Sequence, residues 1–306
     1  MKPIVVICGP TCSGKTELSI KIAQELKTEI ISADSRQMYK MLDIGTAKPS
    51  KFELNQIKHH FIDNLNPDEN YSAGKFENEA DIIINQIFES NKIPVIVGGS
   101  GLYIKAVIEG FSSKNESEEL YKNREILNER FKNEGIDSIL DELRFVDPES
   151  VYKYKDENPR RIIRALEYCL TYKTKFSLSH FEKTPKYKAI YFHNNISRED
   201  LYNKINLRSD LMWQNGIIEE TLNVINKGYS KEINSLNTIG YKEVIEYLDG
   251  KLNESEALNK IRQFTRNYAK RQITWCKKLE NVNYVDFQNE NKIKKILLEI
   301  NKFFEY

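Results

Sequence analysis

The sequence predicts an α/β fold: a parallel sheet covered by helices on both faces, interrupted by an all-helical insertion. Three observations predict it. Short, continuous apolar runs of strand length occur at residues 3–8 and 93–97, each ended by glycine. Stretches with apolar residues three or four positions apart lie between them. After Phe111 the strand-like runs stop, and they resume only near Tyr187. Strands buried on both faces read as unbroken apolar runs rather than as alternation. Strands alternating with helices build a parallel sheet.

In order, Pro3-Ile4-Val5-Val6-Ile7-Cys8 is the first strand. Residues 17–27 follow as a helix, with Leu18, Ile22 and Leu26 at four-residue spacing. Residues 29–33 form a second strand, and Phe61-Ile62-Asp63 a further short one. Residues 76–90 are helical, with Phe76, Ala80, Ile83, Ile84, Ile87 and Phe88 on one stripe. The strand at 93–97 stops at Gly98-Gly99. Residues 112–119 are polar and mark a boundary, and residues 121–180 read as helices only. Residues 187–193 return to strand character. The expected domains are therefore an α/β core, 1–113 and 186–306, and a helical insertion, 114–185. Helices are expected at 198–213, 217–227, 254–278 and 292–303, and a late strand at 284–287.

Apolar residues make up 40% of the 306, enough for a sizeable core. Lys+Arg 46 against Asp+Glu 45 leaves a net charge of +1, so any basic surface must come from local clustering. Cys8, Cys12, Cys169 and Cys276 have no metal-finger spacing and read as reduced thiols. There is no secretory signal and no apolar run of 18 residues, so a cytoplasmic protein without membrane attachment is expected.

Gly9-Pro10-Thr11-Cys12-Ser13-Gly14-Lys15-Thr16 fits G-x-x-x-x-G-K-[ST]. The glycines let backbone N–H groups turn inward around phosphate oxygens, and the next helix points its positive end at the same place. Lys15 adds an ammonium, and the Thr16 hydroxyl can ligate Mg2+. The loop specifies a phosphate group and not its carrier, so a nucleoside triphosphate is the default occupant. Asp34-Ser35-Arg36-Gln37 comes directly after the second strand, where groups face the ligand crevice of a parallel sheet. Asp34 there can hold Mg2+ through water, accept a proton from a nucleophile, or simply be a solvated helix N-cap. Gln37 can read an adenine through paired donor and acceptor contacts, or stand on the surface. His59 and His60 lack a third ligand and are not a metal site.

Taken in order, Asp34 to Tyr39, Gly45-Thr46-Ala47-Lys48-Pro49, His59-His60-Phe61, Tyr71-Ser72-Ala73 and Gly98-Gly99-Ser100-Gly101 resemble the tRNA dimethylallyltransferases, also called tRNA isopentenyltransferases. Asn158-Pro159-Arg160-Arg161-Ile162-Ile163-Arg164-Ala165-Leu166-Glu167 extends the resemblance past the boundary. Leu201 to Arg208, Thr238 to Glu243 and Lys270 to Trp275 extend it further. Cys12 stands where the family has Ala, at a position where backbone groups act. Ser100 stands where it has Thr and keeps the hydroxyl. No Cys/His finger follows Trp275, as in the bacterial form.

The resemblance implies a P-loop NTPase-like core and transfer of a dimethylallyl group from its diphosphate. The acceptor is N6 of adenosine 37, beside the anticodon, in tRNAs reading codons that begin with U. It implies that the loop grips a diphosphate leaving group with Mg2+ and Arg208, that Asp34 takes the proton from N6, and that Thr11 lies near the diphosphate. Asp34, Ser35, Arg36, Gln37 and Ser100 then contact the flipped nucleotide. Pro159, Arg160, Arg161, Ile162 and Ile163 touch the tRNA anticodon stem-loop. Charge agrees with such a partner: residues 152–188 hold ten Lys/Arg against four acids, and residues 262–278 six against none. Arg262, Arg266 and Lys270 repeat every four residues along one helix face. No obligate protein partner is called for, and a monomer is expected. A prenyltransferase of free adenine nucleotides, a P-loop kinase or NTPase, and a non-catalytic RNA-binding module are the alternatives.

Overall fold

The structure, a computed structural model, describes residues 1–110, 117–155, 158–179 and 185–304. Contacts divide the chain into two compact units, Met1–Gly110 with Thr184–Tyr306, and Phe111–Lys183. The expected junction at 113/114 lies outside the described residues.

The first unit begins β1 (Lys2–Cys8), α1 (Lys15–Glu25), β2 (Ile30–Ser32), α2 (Lys51–Gln56), β3 (His59–His60), α3 (Ala73–Glu89), β4 (Val95–Gly98) and α4 (Gly101–Glu109). The second unit holds α5 (Glu118–Glu134), α6 (Asp137–Val146), α7 (Pro148–Tyr154) and α8 (Pro159–Tyr172). The first unit resumes with β5 (Tyr187–Asn194), α9 (Arg198–Gln214), α10 (Ile217–Asn226), α11 (Tyr241–Leu248), α12 (Glu254–Cys276), β6 (Val282–Val285) and α13 (Lys292–Phe304).

The six strands are all parallel, in the order β3-β2-β4-β1-β5-β6. Val5, Ile7, Ile30, Val95 and Phe192 bury one face of this sheet in a cluster with Leu18 and Ile22 of α1 and Ile296 and Ile300 of α13. β1 registers with both β4 and β5, so Cys8 lies beside Gly98 on one side and His193 on the other. The chain leaves β1, β2 and β4 at one edge of the sheet, and in such sheets that edge carries the ligand crevice.

Close approach fixes one residue at that edge. A Cβ on Gly98 would lie 2.2 Å from the Ala33 carbonyl oxygen. The conflict is with backbone, so it cannot be relieved by turning a side chain. Gly98→Ala is expected to cost about 1–3 kcal/mol by forcing β2 from β4. Urea unfolding checks this, and an unchanged midpoint would contradict it.

Two expected strands are displaced. The third strand is His59–His60 rather than 61–63. Phe61 and Asp63 have φ of 63° and 56°, so the chain is already turning. Phe61 is apolar because it packs on Phe76, with ring centroids 4.8 Å apart. The last strand ends at Val285, and Phe287 beyond it is a buried core residue. Helices α2 and α11 have no counterpart in the sequence reading.

The helical unit closes on Leu127, Ile139, Leu143, Ile162, Ile163 and Leu166. Glu167 is buried there, with its carboxylate held by Arg124 at 2.7 and 2.8 Å and by Arg164 at 2.9 Å. Asp147 caps α7 and accepts from Ser150 and from both the N–H and hydroxyl of Ser177. Burial pushes its carboxyl up, but these hydrogen bonds outweigh it and hold the pKa below the usual carboxylate value. A depressed carboxyl pKa stabilises the fold above the unfolded pKa and loses that contribution as pH falls through the folded one. Asp147→Asn is therefore expected to be less stable than wild type at neutral pH. The gap should close as pH drops below about 4, read by circular dichroism. A gap that persists in acid would contradict this account.

Candidate active site

The loop after β1 is shaped by three residues with positive φ: Gly9 at 142°, Cys12 at 64° and Gly14 at 85°. Helix α1 starts at Lys15, so its unpaired N–H groups face the loop. The Lys15 ammonium donates back to the Pro10 carbonyl at 2.6 Å. Burial brings its pKa down to about 8; Asp34 opposes that shift and Arg208 adds to it. Asn194 at the end of β5 props the loop by donating to Ser13 O at 2.6 Å.

Two helices from the far end of the chain grip the same loop. Arg208 on α9 donates to the Thr11 hydroxyl. Gln272 on α12 accepts from Thr11 N–H at 2.9 Å and donates to Gly99 O at 3.1 Å. Tyr268, one turn earlier, has a phenol pushed up to about 12, first by burial and then by the Asp34 charge.

Asp34 follows β2, and its Oδ1 accepts from Arg36 N–H at 2.9 Å and Gln37 N–H at 3.4 Å. That oxygen therefore caps a turn and not a helix, since no helix begins at Asp34. Oδ2 makes no hydrogen bond among the described residues. The Ser100 hydroxyl accepts from Ser35 N–H at 3.1 Å, tying the turn after β2 to the turn after β4. The Arg36 guanidinium donates to Asn234 O at 2.8 Å.

Gln37 differs from the paired donor and acceptor expected of it. Its amide nitrogen donates to Thr46 O at 3.3 Å and Ala47 O at 3.0 Å, which uses both protons. Only the carbonyl end remains to meet a ligand. The loop carrying those acceptors is pinned by Glu220, whose carboxylate accepts from the N–H groups of Asp43, Ile44 and Gly45 and from the Tyr241 hydroxyl.

These groups converge on one cavity of about 310 Å³. Its walls include the loop from Thr11 to Thr16, Asp34, Gln37, Arg208, Tyr268 and Gln272. Gly9, Pro10, Ser35, Arg36 and Ser100 are not part of its wall, and Ser35 and Ser100 are joined to each other. Sequence reasoning gave no role to Gln272, Tyr268, Asn194 or Glu220. The one sequence signal for Gln272 was its place in the Lys270 to Trp275 segment that carries the family resemblance.

The candidate RNA contacts separate by burial. In the helical unit Arg160 and Arg161 are exposed at the start of α8, beside Pro159. Ile162 and Ile163 point into that unit's core, 1% and 4% exposed, so their side chains do not face a partner. On α12 the expected basic stripe is partly committed to α9. Arg262 pairs with Asp210, and Arg266 donates to Asn206 at 2.7 Å. Lys270 and Arg271 remain exposed.

Among the described residues no three His, Cys, Asp or Glu side chains form a metal cage. His59 is hydrogen-bonded to Ile57 O and His60 to Glu29. The Thr16 hydroxyl in the cavity wall makes no hydrogen bond among the described residues. One hydroxyl beside a phosphate cradle suits a hard divalent cation that keeps water and phosphate oxygens as its other ligands.

A parallel α/β sheet with a phosphate cradle at its central strand, and a carboxylate and a guanidinium in the same cavity wall, defines a P-loop-type phosphate-binding enzyme. The family model described as IPP transferase matches residues 37–279. A tRNA dimethylallyltransferase of Christiangramia forsetii is 43% identical, over 94% of this chain and 95% of its own. One from a Thermoanaerobacter species is 40% identical over 97% and 96%. The tRNA isopentenylpyrophosphate transferase structure from Staphylococcus epidermidis superposes with a TM-score of 0.71 at 35% identity, covering 99% of both chains. A eukaryotic dimethylallyltransferase acting on tRNA gives 0.81 at 25% identity, covering 100% of this chain and 80% of its own. The chain belongs to the IPP transferase family, and its P-loop NTPase-like fold is that of the solved tRNA isopentenyltransferases.

Proposed function

We propose that the protein transfers a dimethylallyl group from dimethylallyl diphosphate to N6 of adenosine 37, in tRNAs reading codons that begin with U. The observation that carries this reading is the single cavity that joins the phosphate loop, Arg208 and Asp34. The N6 lone pair attacks the allylic carbon, the C–O bond breaks, and the diphosphate leaves with the bonding electrons. Negative charge grows on the diphosphate, where the loop N–H groups, Lys15 and Arg208 stabilise it most. Asp34 takes the proton from N6, because an exocyclic adenine amine becomes a competent nucleophile as that proton departs. Mg2+ on Thr16 would supply further charge neutralisation at the diphosphate.

The acceptor base leaves the anticodon stack to reach such a cavity. With both amide protons bound internally, Gln37 offers a carbonyl acceptor, which suits an amino group and opposes a keto oxygen. The exposed Arg160, Arg161, Lys270 and Arg271 supply phosphate contacts for the anticodon stem-loop. Ser35, Arg36 and Ser100 shape the acceptor side, and Pro159 sets the start of α8. The protein acts as a monomer in the cytoplasm; among the described residues no helix is long and apolar enough to cross a membrane.

The test is incubation with Mg2+ and labelled dimethylallyl diphosphate plus tRNA bearing adenosines 36 to 38, or AMP, ADP or ATP, or no acceptor. Label on the tRNA is the expected result. Label on free nucleotides alone, or ATP hydrolysis without prenyl transfer, would overturn the proposal.

A further inference from the structure

We propose that Gln272 is a positioning residue for the diphosphate, acting as a clasp between the phosphate loop and the Gly-Gly turn after β4. The inference rests on the proposed transferase reading for its substrate and on the geometry for its role. Gln272 is 6% exposed, and each end of its amide has one partner. The carbonyl accepts the Thr11 N–H and the amide nitrogen donates to Gly99 O. Thr11 and Gly99 follow neighbouring strands, β1 and β4, and both bound the cavity. A side-chain amide carries its donor and its acceptor on separate atoms of one neutral head, which lets Gln272 bridge these two backbone groups.

The turn is built to admit that head. A Cβ on Gly99 would lie 2.0 Å from the Gln272 amide nitrogen. Thr11 is held from two sides at once, its N–H by Gln272 and its hydroxyl by Arg208. The Thr11 N–H is thereby withdrawn from the set that can reach phosphate, and the loop conformation depends on where α12 lies. Releasing the clasp leaves a donor in the cavity wall unpaired and lets the loop re-aim its remaining N–H groups.

Gln272→Met keeps the length and removes both bonds. Gln272→Asn keeps both groups one methylene too short. Gln272→Glu keeps the acceptor for Thr11, cannot donate to Gly99, and sets a carboxylate beside the diphosphate. The measurements are binding of inorganic pyrophosphate with Mg2+ by calorimetry, and the KM values for dimethylallyl diphosphate and tRNA with kcat. Gln272→Met is expected to weaken pyrophosphate about tenfold and raise the dimethylallyl diphosphate KM alike, with the tRNA KM unchanged. Gln272→Glu should weaken pyrophosphate at least as much, through repulsion. Pyrophosphate affinity of Gln272→Met and Gln272→Asn equal to wild type, at unchanged melting temperature, would overturn the proposal. So would a loss confined to the fraction of active protein. Wild-type protein that binds pyrophosphate but does not prenylate tRNA would overturn the transferase reading instead, and the clasp would still be judged on binding.

Discussion

Asp34→Asn is expected to lower the prenyl-transfer rate by about 10²-fold or more while leaving diphosphate binding largely intact. The choice of Asn matters because of the turn. Asp34 Oδ1 accepts the N–H groups of Arg36 and Gln37, and the Asn carbonyl reproduces that acceptor. What Asn cannot reproduce is a carboxylate able to take a proton. Asp34→Ala removes both functions and should be at least as slow. Single-turnover kinetics with tRNA in excess separate the two accounts. If Asn restores near-normal turnover and Ala does not, Asp34 is a turn cap and not the base.

The second large effect is expected at Lys15. Lys15→Ala should reduce kcat/KM by about 10²–10³-fold, or about 3–4 kcal/mol of transition-state stabilisation. The ammonium sits where burial already draws its pKa down to about 8, so water screens it little. It meets charge that grows as the C–O bond breaks, so the loss should fall on kcat as well as on KM. Lys15→Arg should rescue little, because Lys15 acts as a compact point charge beside Pro10 O, and a planar guanidinium sets its donors in a different geometry. Rescue by Arg to near wild-type rates would show that the loop only needs a positive charge.

What was legible in the sequence is what lies close together in it. The phosphate loop is one contiguous stretch, and β1 and β4 are unbroken apolar runs with nothing else to be. Asp34 was legible because a strand end fixes the side a neighbour faces. Arg208 drew its meaning from family resemblance alone, since the Thr11 hydroxyl it holds is 197 residues away. Errors arose where apolar character had two causes. Phe61 is apolar for packing against Phe76 and not for pairing. Ile162 and Ile163 sat inside a matching motif and were read as contacts. Their spacing to Leu166 marks the buried stripe of α8, which shares its core with Leu127 and Leu143. The amide orientation of Gln37 was invisible, because it depends on the Thr46 and Ala47 carbonyls of a loop whose preceding N–H groups Glu220 of α10 holds.

The clasp on Thr11 joins residues 261 apart in the chain. A ribosome adding about 5–20 residues per second makes the cradle first and its last wall about 13–50 s later. For roughly the first two thirds of that interval β1 has no β5 to pair with, since that strand begins only at Tyr187. A nascent chain therefore carries a complete phosphate-loop sequence with no assembled cavity around it. The wall that Gln272 adds to the cavity exists only in chains whose synthesis has passed α12.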